Sequence, residues 1–180
     1  MRTRIFLWGF MGAGKTALGK ALAEALQVPF YDLDAEIEAA TQQSIAHLFA
    51  TRGEAYFRKQ ETTILRSFQH EAAFVMACGG GTPCYDDNAE WMKQQGITLW
   101  INPPIEVLVK RLKPEKRHRP LIAQVPDEQL EQVVREKLIQ RVPYYSKAHL
   151  MMQEETIDIP VLIKQLQRIA NQLNIYNHHP

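Results

Sequence analysis

Two rhythms of hydrophobic and polar positions alternate along the chain. Short apolar runs at residues 5–8 and 73–77, and a further strand-like segment at 97–101 in which Thr98 is the single polar residue, are too brief for helices, so they predict buried strands. Phe30 and Tyr31, after Pro29, predict a shorter strand that runs into Asp32-Leu33-Asp34, and residues 156–159 predict a last one. Between them the spacing changes to three and four. Ala17, Leu18, Ala21, Leu22, Ala25 and Leu26 form the apolar stripe of one helix, and helical patterning returns at 35–40, 44–50, 54–68 and 86–95, where Gly96 stands as a C-cap. Pro104 opens a further helix through residue 111. The segment 127–141 follows with Leu130, Val133, Val134 and Leu138 on one face, and 161–173 with Leu162, Leu166, Ile169 and Leu173. Residues 113–126, rich in proline and charge, read as a loop. Strands that alternate with helices and are apolar on both faces predict an α/β fold, a parallel sheet of about five strands flanked by helices in three layers. No repeat, linker or second pattern appears, so residues 1–180 are expected to form one domain.

Between the first strand and first helix lies Gly9-Phe10-Met11-Gly12-Ala13-Gly14-Lys15-Thr16, a complete G-x-x-x-x-G-K-T phosphate loop. A strand that enters a glycine-rich turn and leaves as a helix turns successive backbone N–H groups toward one point. The helix dipole adds positive potential there. Gly12, Ala13, Gly14, Lys15, Thr16 and Ala17 are therefore expected to hold the phosphates of a nucleotide triphosphate. Lys15 reaches the β and γ phosphates, and the Thr16 hydroxyl takes one place on Mg²⁺. The loop also decides how the N-terminus is read. A basic start followed by an apolar run resembles a signal peptide, but cleavage would destroy the loop.

Composition changes the picture mainly by exclusion. With 46% hydrophobic and 23% charged residues the chain is ordinary for a globular protein, and a net charge of +1 gives no general attraction to nucleic acid or anionic membrane. Its two cysteines, Cys78 and Cys84, are too few for a disulfide framework, which favours a reducing compartment. No zinc spacing occurs among the histidines, and no apolar run is long enough to span a bilayer. A cytoplasmic monomer with small-molecule partners, and neither nucleic acid nor membrane, is expected.

The remaining candidates gather where strands end. Asp32 and Asp34, two apart at a strand terminus, project to the same side, toward the crevice outside the carboxyl edge of a parallel sheet. Anions beside a triphosphate need a metal or a transferable proton. Asp32 is therefore placed near Mg²⁺ and Asp34 on an acceptor hydroxyl, although Asp34 could equally cap the following helix. Arg58 and Glu61 have the spacing of a surface ion pair on a helix, which is the reading spacing favours. The alternative is a guanidinium oriented to grip an anionic substrate. Gly79-Gly80-Gly81 strips side chains from a strand end, as expected where a ligand touches backbone. Lys110 to Arg119 is strongly basic without interleaved aromatics. Beside a triphosphate it reads as a lid, about residues 113–126, and not as a nucleic-acid patch. Arg141 ends a predicted helix and could simply complement its dipole. Cys78 reads as a small buried hydrophobe.

In order and spacing, this set resembles the shikimate kinase family of small P-loop kinases. The residues that carry the likeness are the phosphate loop, Asp32-Leu33-Asp34, Phe57-Arg58-Lys59-Gln60-Glu61, Gly79-Gly80-Gly81, Arg119-Pro120-Leu121 and Arg141 shortly before a tyrosine. The resemblance implies ATP-dependent phosphorylation of the 3-hydroxyl of shikimate. It implies that Arg58, Arg141 and the backbone of Gly79, Gly80 and Gly81 hold the acceptor, within a region at about 32–61 completed by the glycines. Asp34 would bind ring hydroxyls and assist deprotonation, Thr16 and Asp32 would hold Mg²⁺, and Lys15 and Arg119 would stabilise the γ-phosphoryl charge. Arg111 would lie near the adenine. Thr82-Pro83-Cys84-Tyr85 departs from the usual continuation after the glycines. A gluconate kinase of the same fold is the nearest rival. A nonenzymatic nucleotide-binding regulatory module is the rival from another class.

Overall fold

The computed structural model describes residues 3–116, 122–154 and 156–173. Five strands form one parallel sheet in the order β2-β3-β1-β4-β5, with β1 at Arg4–Trp8, β2 at Phe30–Asp32, β3 at Phe74–Ala77, β4 at Ile97–Ile101 and β5 at Leu150–Met152. The central β1 shows why the inner strands are so nearly apolar. Successive side chains point to opposite faces, and both faces are covered. Ile5 and Leu7 join one core with Val75, Ile97 and Leu99, packed under Leu22, Leu162 and Leu166. Phe6 and Trp8 join the other with Phe74, Met76 and Trp100, packed under Ile37, Leu65, Met92 and Tyr145. The helices in chain order are α1 (Lys15–Leu26), α2 (Leu33–Thr41), α3 (Ile45–Ser67), α4 (Asn88–Gln95), α5 (Ile105–Glu115), α6 (Leu130–Tyr145) and α7 (Ile159–Gln172).

Register sets the carboxyl edge that matters for function. Asp32, the last residue of β2, pairs with Ala77, the last of β3, and Cys78 donates its N–H to the Leu7 carbonyl at 3.1 Å. The phosphate loop after β1, the triple glycine after β3 and the acidic pair after β2 therefore lie side by side.

Several expectations are corrected. The fifth strand is Leu150–Met152, not residues 156–159. Asp158 caps α7 instead, its carboxylate accepting from the Val161 N–H, with Pro160 in the first turn. The loop expected from residue 113 begins later, because α5 continues through Pro114 to Glu115. The helix expected to stop at residue 141 continues through Pro143, so Arg141 sits inside α6 and is no terminal dipole complement. The expected helices at 44–50 and 54–68 are two halves of α3, broken at Gly53, which has φ 79°. Gly96 does follow α4, but with extended backbone. A side chain there would stand 2.2 Å from the Arg4 carbonyl oxygen, so close packing against β1 requires the glycine.

Candidate active site

The phosphate loop leaves β1 and turns through Gly12 and Gly14, whose φ values of 78° and 96° are in the left-handed region that side chains disfavour. Gly14 ends the turn as the N-cap of α1, without a side-chain cap, so the first N–H groups of the helix face the crevice. Lys15 folds back over the loop, donating to the carbonyls of Gly9 at 2.9 Å and Phe10 at 3.0 Å. Thr16 donates its hydroxyl to Asp32 at 2.9 Å. The other Asp32 oxygen accepts from the Asp34 N–H at 3.2 Å, so Asp32, and not Asp34, caps α2. Asp34 belongs to the first turn of that helix, past the strand end. Arg111, from α5, donates to the carbonyls of Gly12 at 3.4 Å and Ala13 at 3.3 Å. That places it against the phosphate loop itself.

The acceptor side is built from charges packed onto glycines. Arg58 and Glu61 are not a surface pair. Glu61 is fully buried, and it accepts from Arg58 at 2.8 Å and from the Thr82 hydroxyl at 2.6 Å. Glu54 accepts from the other flank of the same guanidinium at 3.1 and 3.2 Å. Each glycine after β3 makes room for one of these groups. A Cβ on Gly81 would stand 2.3 Å from Arg58 Nη2, one on Gly80 2.8 Å from Arg141 Nη1, and one on Gly79 2.8 Å from Glu61 Oε1 and 3.1 Å from Asp34 Oδ1. Arg141 lies over the Phe10 ring, 4.9 Å from its centre, a cation–π contact that ties α6 to the phosphate loop.

Asp34 faces water in the crevice, yet protein surrounds it on most other sides. That partial desolvation, with Glu61 and Asp32 nearby, raises its pKa to about 6 against the pull of Lys15 and Arg58. The Cys78 thiol is buried and pushed well above its ordinary value by desolvation, in line with a packing role.

These groups line one crevice of about 1170 Å³. It collects Gly12, Ala13, Gly14, Lys15, Thr16, Ala17, Asp32, Asp34, Arg58, Gly79, Gly80, Gly81, Arg111 and Arg141. Arg119 lies outside the described residues. Sequence reasoning missed the β4–β5 side of the crevice, where Pro103, Thr156 and Ile157 form the wall. It also missed Phe10 under Arg141 and Thr82 on Glu61. The 82–85 stretch is a 3₁₀ turn over Thr82–Cys84 whose Thr82 binds Glu61, and this gives that departure a structural purpose.

Comparison with known proteins decides what this geometry belongs to. The family model described as shikimate kinase matches residues 11–173. The chain belongs to the shikimate kinase family. A shikimate kinase of Phocaeicola vulgatus is 41% identical over 173 residues, 96% of this chain and 99% of that protein. A crystal structure of shikimate kinase from Bacteroides thetaiotaomicron superposes with a TM-score of 0.82 at 38% identity, covering 97% of this chain and 99% of that one. The shikimate kinase from Acinetobacter baumannii, solved in complex with shikimate, gives 0.81 at 35% identity, covering 100% and 97%. Shikimate kinase membership sets aside both the gluconate kinase and the regulatory-module readings, and the five-stranded P-loop kinase fold agrees with it. Among the described residues no helix is long and apolar enough to cross a membrane.

Proposed function

We propose that the chain transfers the γ-phosphoryl group of ATP to the 3-hydroxyl of shikimate, giving shikimate 3-phosphate and ADP. The observation that carries this is the convergence of Arg58 and Arg141 on Gly80 and Gly81, beside Asp34 and across one crevice from the phosphate loop. Two guanidinium groups around one point suit a planar carboxylate, and the glycine backbone leaves space for a ring. Asp34 then accepts a hydrogen bond from the attacking hydroxyl. As the hydroxyl oxygen bonds to the γ-phosphorus, the bond from that phosphorus to the bridging oxygen of ADP breaks, and the hydroxyl proton passes to Asp34. Lys15 follows the charge that spreads over the γ-phosphoryl oxygens. By the family resemblance Arg119 joins it there. Arg111 is assigned to the nucleotide side, with Pro103, Thr156 and Ile157 toward the purine.

Thr16 and Asp32 fit Mg²⁺, since a hydroxyl and a carboxylate 2.9 Å apart are hard oxygen donors beside the phosphate loop. The described residues hold no cluster of three or more acidic, histidine or cysteine ligands. That suits an ion held by one or two protein oxygens together with substrate phosphates, where it would neutralise β and γ oxygens. We further take residues 1–180 to be a single kinase domain, monomeric and cytoplasmic, acting on small molecules without nucleic acid or membrane.

The direct test is Mg²⁺-dependent ADP release with shikimate, with gluconate and without acceptor. Release with shikimate alone is expected; release with gluconate alone would remove Arg58 and Arg141 from the shikimate carboxylate. The raised pKa of Asp34 leads to a second expectation. The proton-accepting form is the carboxylate, which predominates above about pH 6. In wild-type protein kcat/KM for shikimate should fall about tenfold per pH unit below that point. Asp34→Asn should lose most of its turnover and this acid limb together. An unchanged limb in that variant would assign the titration to another group.

A further inference from the structure

Tyr145 stands one helical turn beyond Arg141 on α6, with its side chain fully buried and its ring centre 5.7 Å from that of Trp100. Its hydroxyl donates to the carbonyl of Gly80. Desolvation drives the phenol pKa up, so the group stays a neutral donor. The bond fixes more than a carbonyl. Every peptide described is trans, and in a trans peptide the C=O and the following N–H point in opposite directions. Holding the Gly80 carbonyl toward α6 therefore turns the Gly81 N–H away from α6. Gly80 and Gly81 both line the crevice, with Arg141 packed against the first and Arg58 against the second. A glycine peptide has no side chain to lock its orientation and is free to flip unless something holds it.

We infer that Tyr145 is a positioning residue for the acceptor. Its hydroxyl locks the Gly80–Gly81 peptide so that the Gly81 N–H faces the anionic acceptor between the two arginines. The same helix turn carries Arg141, so α6 sets one guanidinium and one amide as a rigid pair. This rests on shikimate occupying the site between Arg58 and Arg141.

Tyr145→Phe removes the hydroxyl and keeps the ring. With the full chain, shikimate binding by calorimetry and steady-state kinetics should show Kd and KM for shikimate raised about tenfold, while kcat and the KM for ATP change less than twofold. In protein labelled with ¹⁵N-glycine, the Gly81 amide shift that shikimate induces in wild type should be lost or much reduced. Trp100→Phe disturbs the packing of the same ring and leaves the hydroxyl. It should lower the melting temperature without moving the shikimate KM. If Tyr145→Phe only lowers the melting temperature, with Kd, KM and the Gly81 shift unchanged, the residue is packing and the inference fails. Failure of wild-type protein to bind shikimate would overturn the acceptor assignment and this inference with it.

Discussion

Replacing Lys15 with alanine should lower turnover about a hundredfold to a thousandfold, with a much smaller change in the KM for either substrate. The ammonium is held across the phosphate loop by the carbonyls of Gly9 and Phe10, at 2.9 and 3.0 Å. It lies within the crevice, beside the first turn of α1. Phosphoryl transfer asks little covalent chemistry of the protein, and charge on the γ-phosphoryl oxygens must be stabilised as it moves. A preorganised cation is worth most where that charge develops, and loss of one such group typically costs this much in rate. The backbone N–H groups of the loop remain in the variant, so ATP still binds. Single-turnover measurement of the chemical step is the check. A loss below tenfold would take Lys15 out of transition-state stabilisation.

Arg58→Ala should act differently, raising the shikimate KM about a hundredfold or more and also lowering stability. The first effect is the loss of one of the two guanidinium groups assigned to the substrate carboxylate. The second comes from Glu61, which is fully buried and would keep only Thr82 as partner. Leaving a buried carboxylate without its cation typically costs about 3–5 kcal/mol. The two effects can be separated. Arg58→Met combined with Glu61→Leu removes the orphaned charge along with its partner. It should regain much of the melting temperature while the acceptor KM stays high. If KM returned with stability, Arg58 would be a structural residue and not a substrate contact.

Much of this arrangement is legible in the chain, for reasons that differ by element. The three long strands are visible because burial on both faces leaves them almost wholly apolar, with Thr98 the one polar residue among their buried positions. The phosphate loop is visible because its backbone geometry demands glycine at fixed places. The last strand is not. Leu150–Met152 is a three-residue edge strand, with Met151 exposed and only Met152 buried, too short and too mixed to stand out. Residues 156–159 alternate like a strand, yet Asp158-Ile159-Pro160 is a helix start, and the cap outweighs the alternation. Proline misleads at positions 114 and 143, where the helices carry it through. Arg58 and Glu61 show a different limit. Spacing reports that two side chains meet on a helix, but not whether α3 turns that face inward. Burial of the pair depends on the glycines after β3 and on Thr82, the last of these 21 positions beyond Glu61 along the chain. Tyr145 stands out in the chain only as a neighbour of Arg141, since nothing local reveals that its hydroxyl ends on Gly80.

The three consecutive glycines also bear on how such a site can vary. Each position is filled by a different distant group: Glu61 and Asp34 at Gly79, Arg141 at Gly80, Arg58 at Gly81. A substitution there meets a charged side chain before it meets a substrate, so its cost depends on what stands at the distant position. Neighbouring positions in this loop are thus bound to separate partners and are not free to drift together. A change of acceptor preference reached through this loop would have to pass through paired substitutions. The part of the crevice wall formed by Ile45 and Phe49, in the first half of α3, touches none of the three glycines and can be altered one residue at a time. New acceptors are more accessible to the family from that wall than from the glycines.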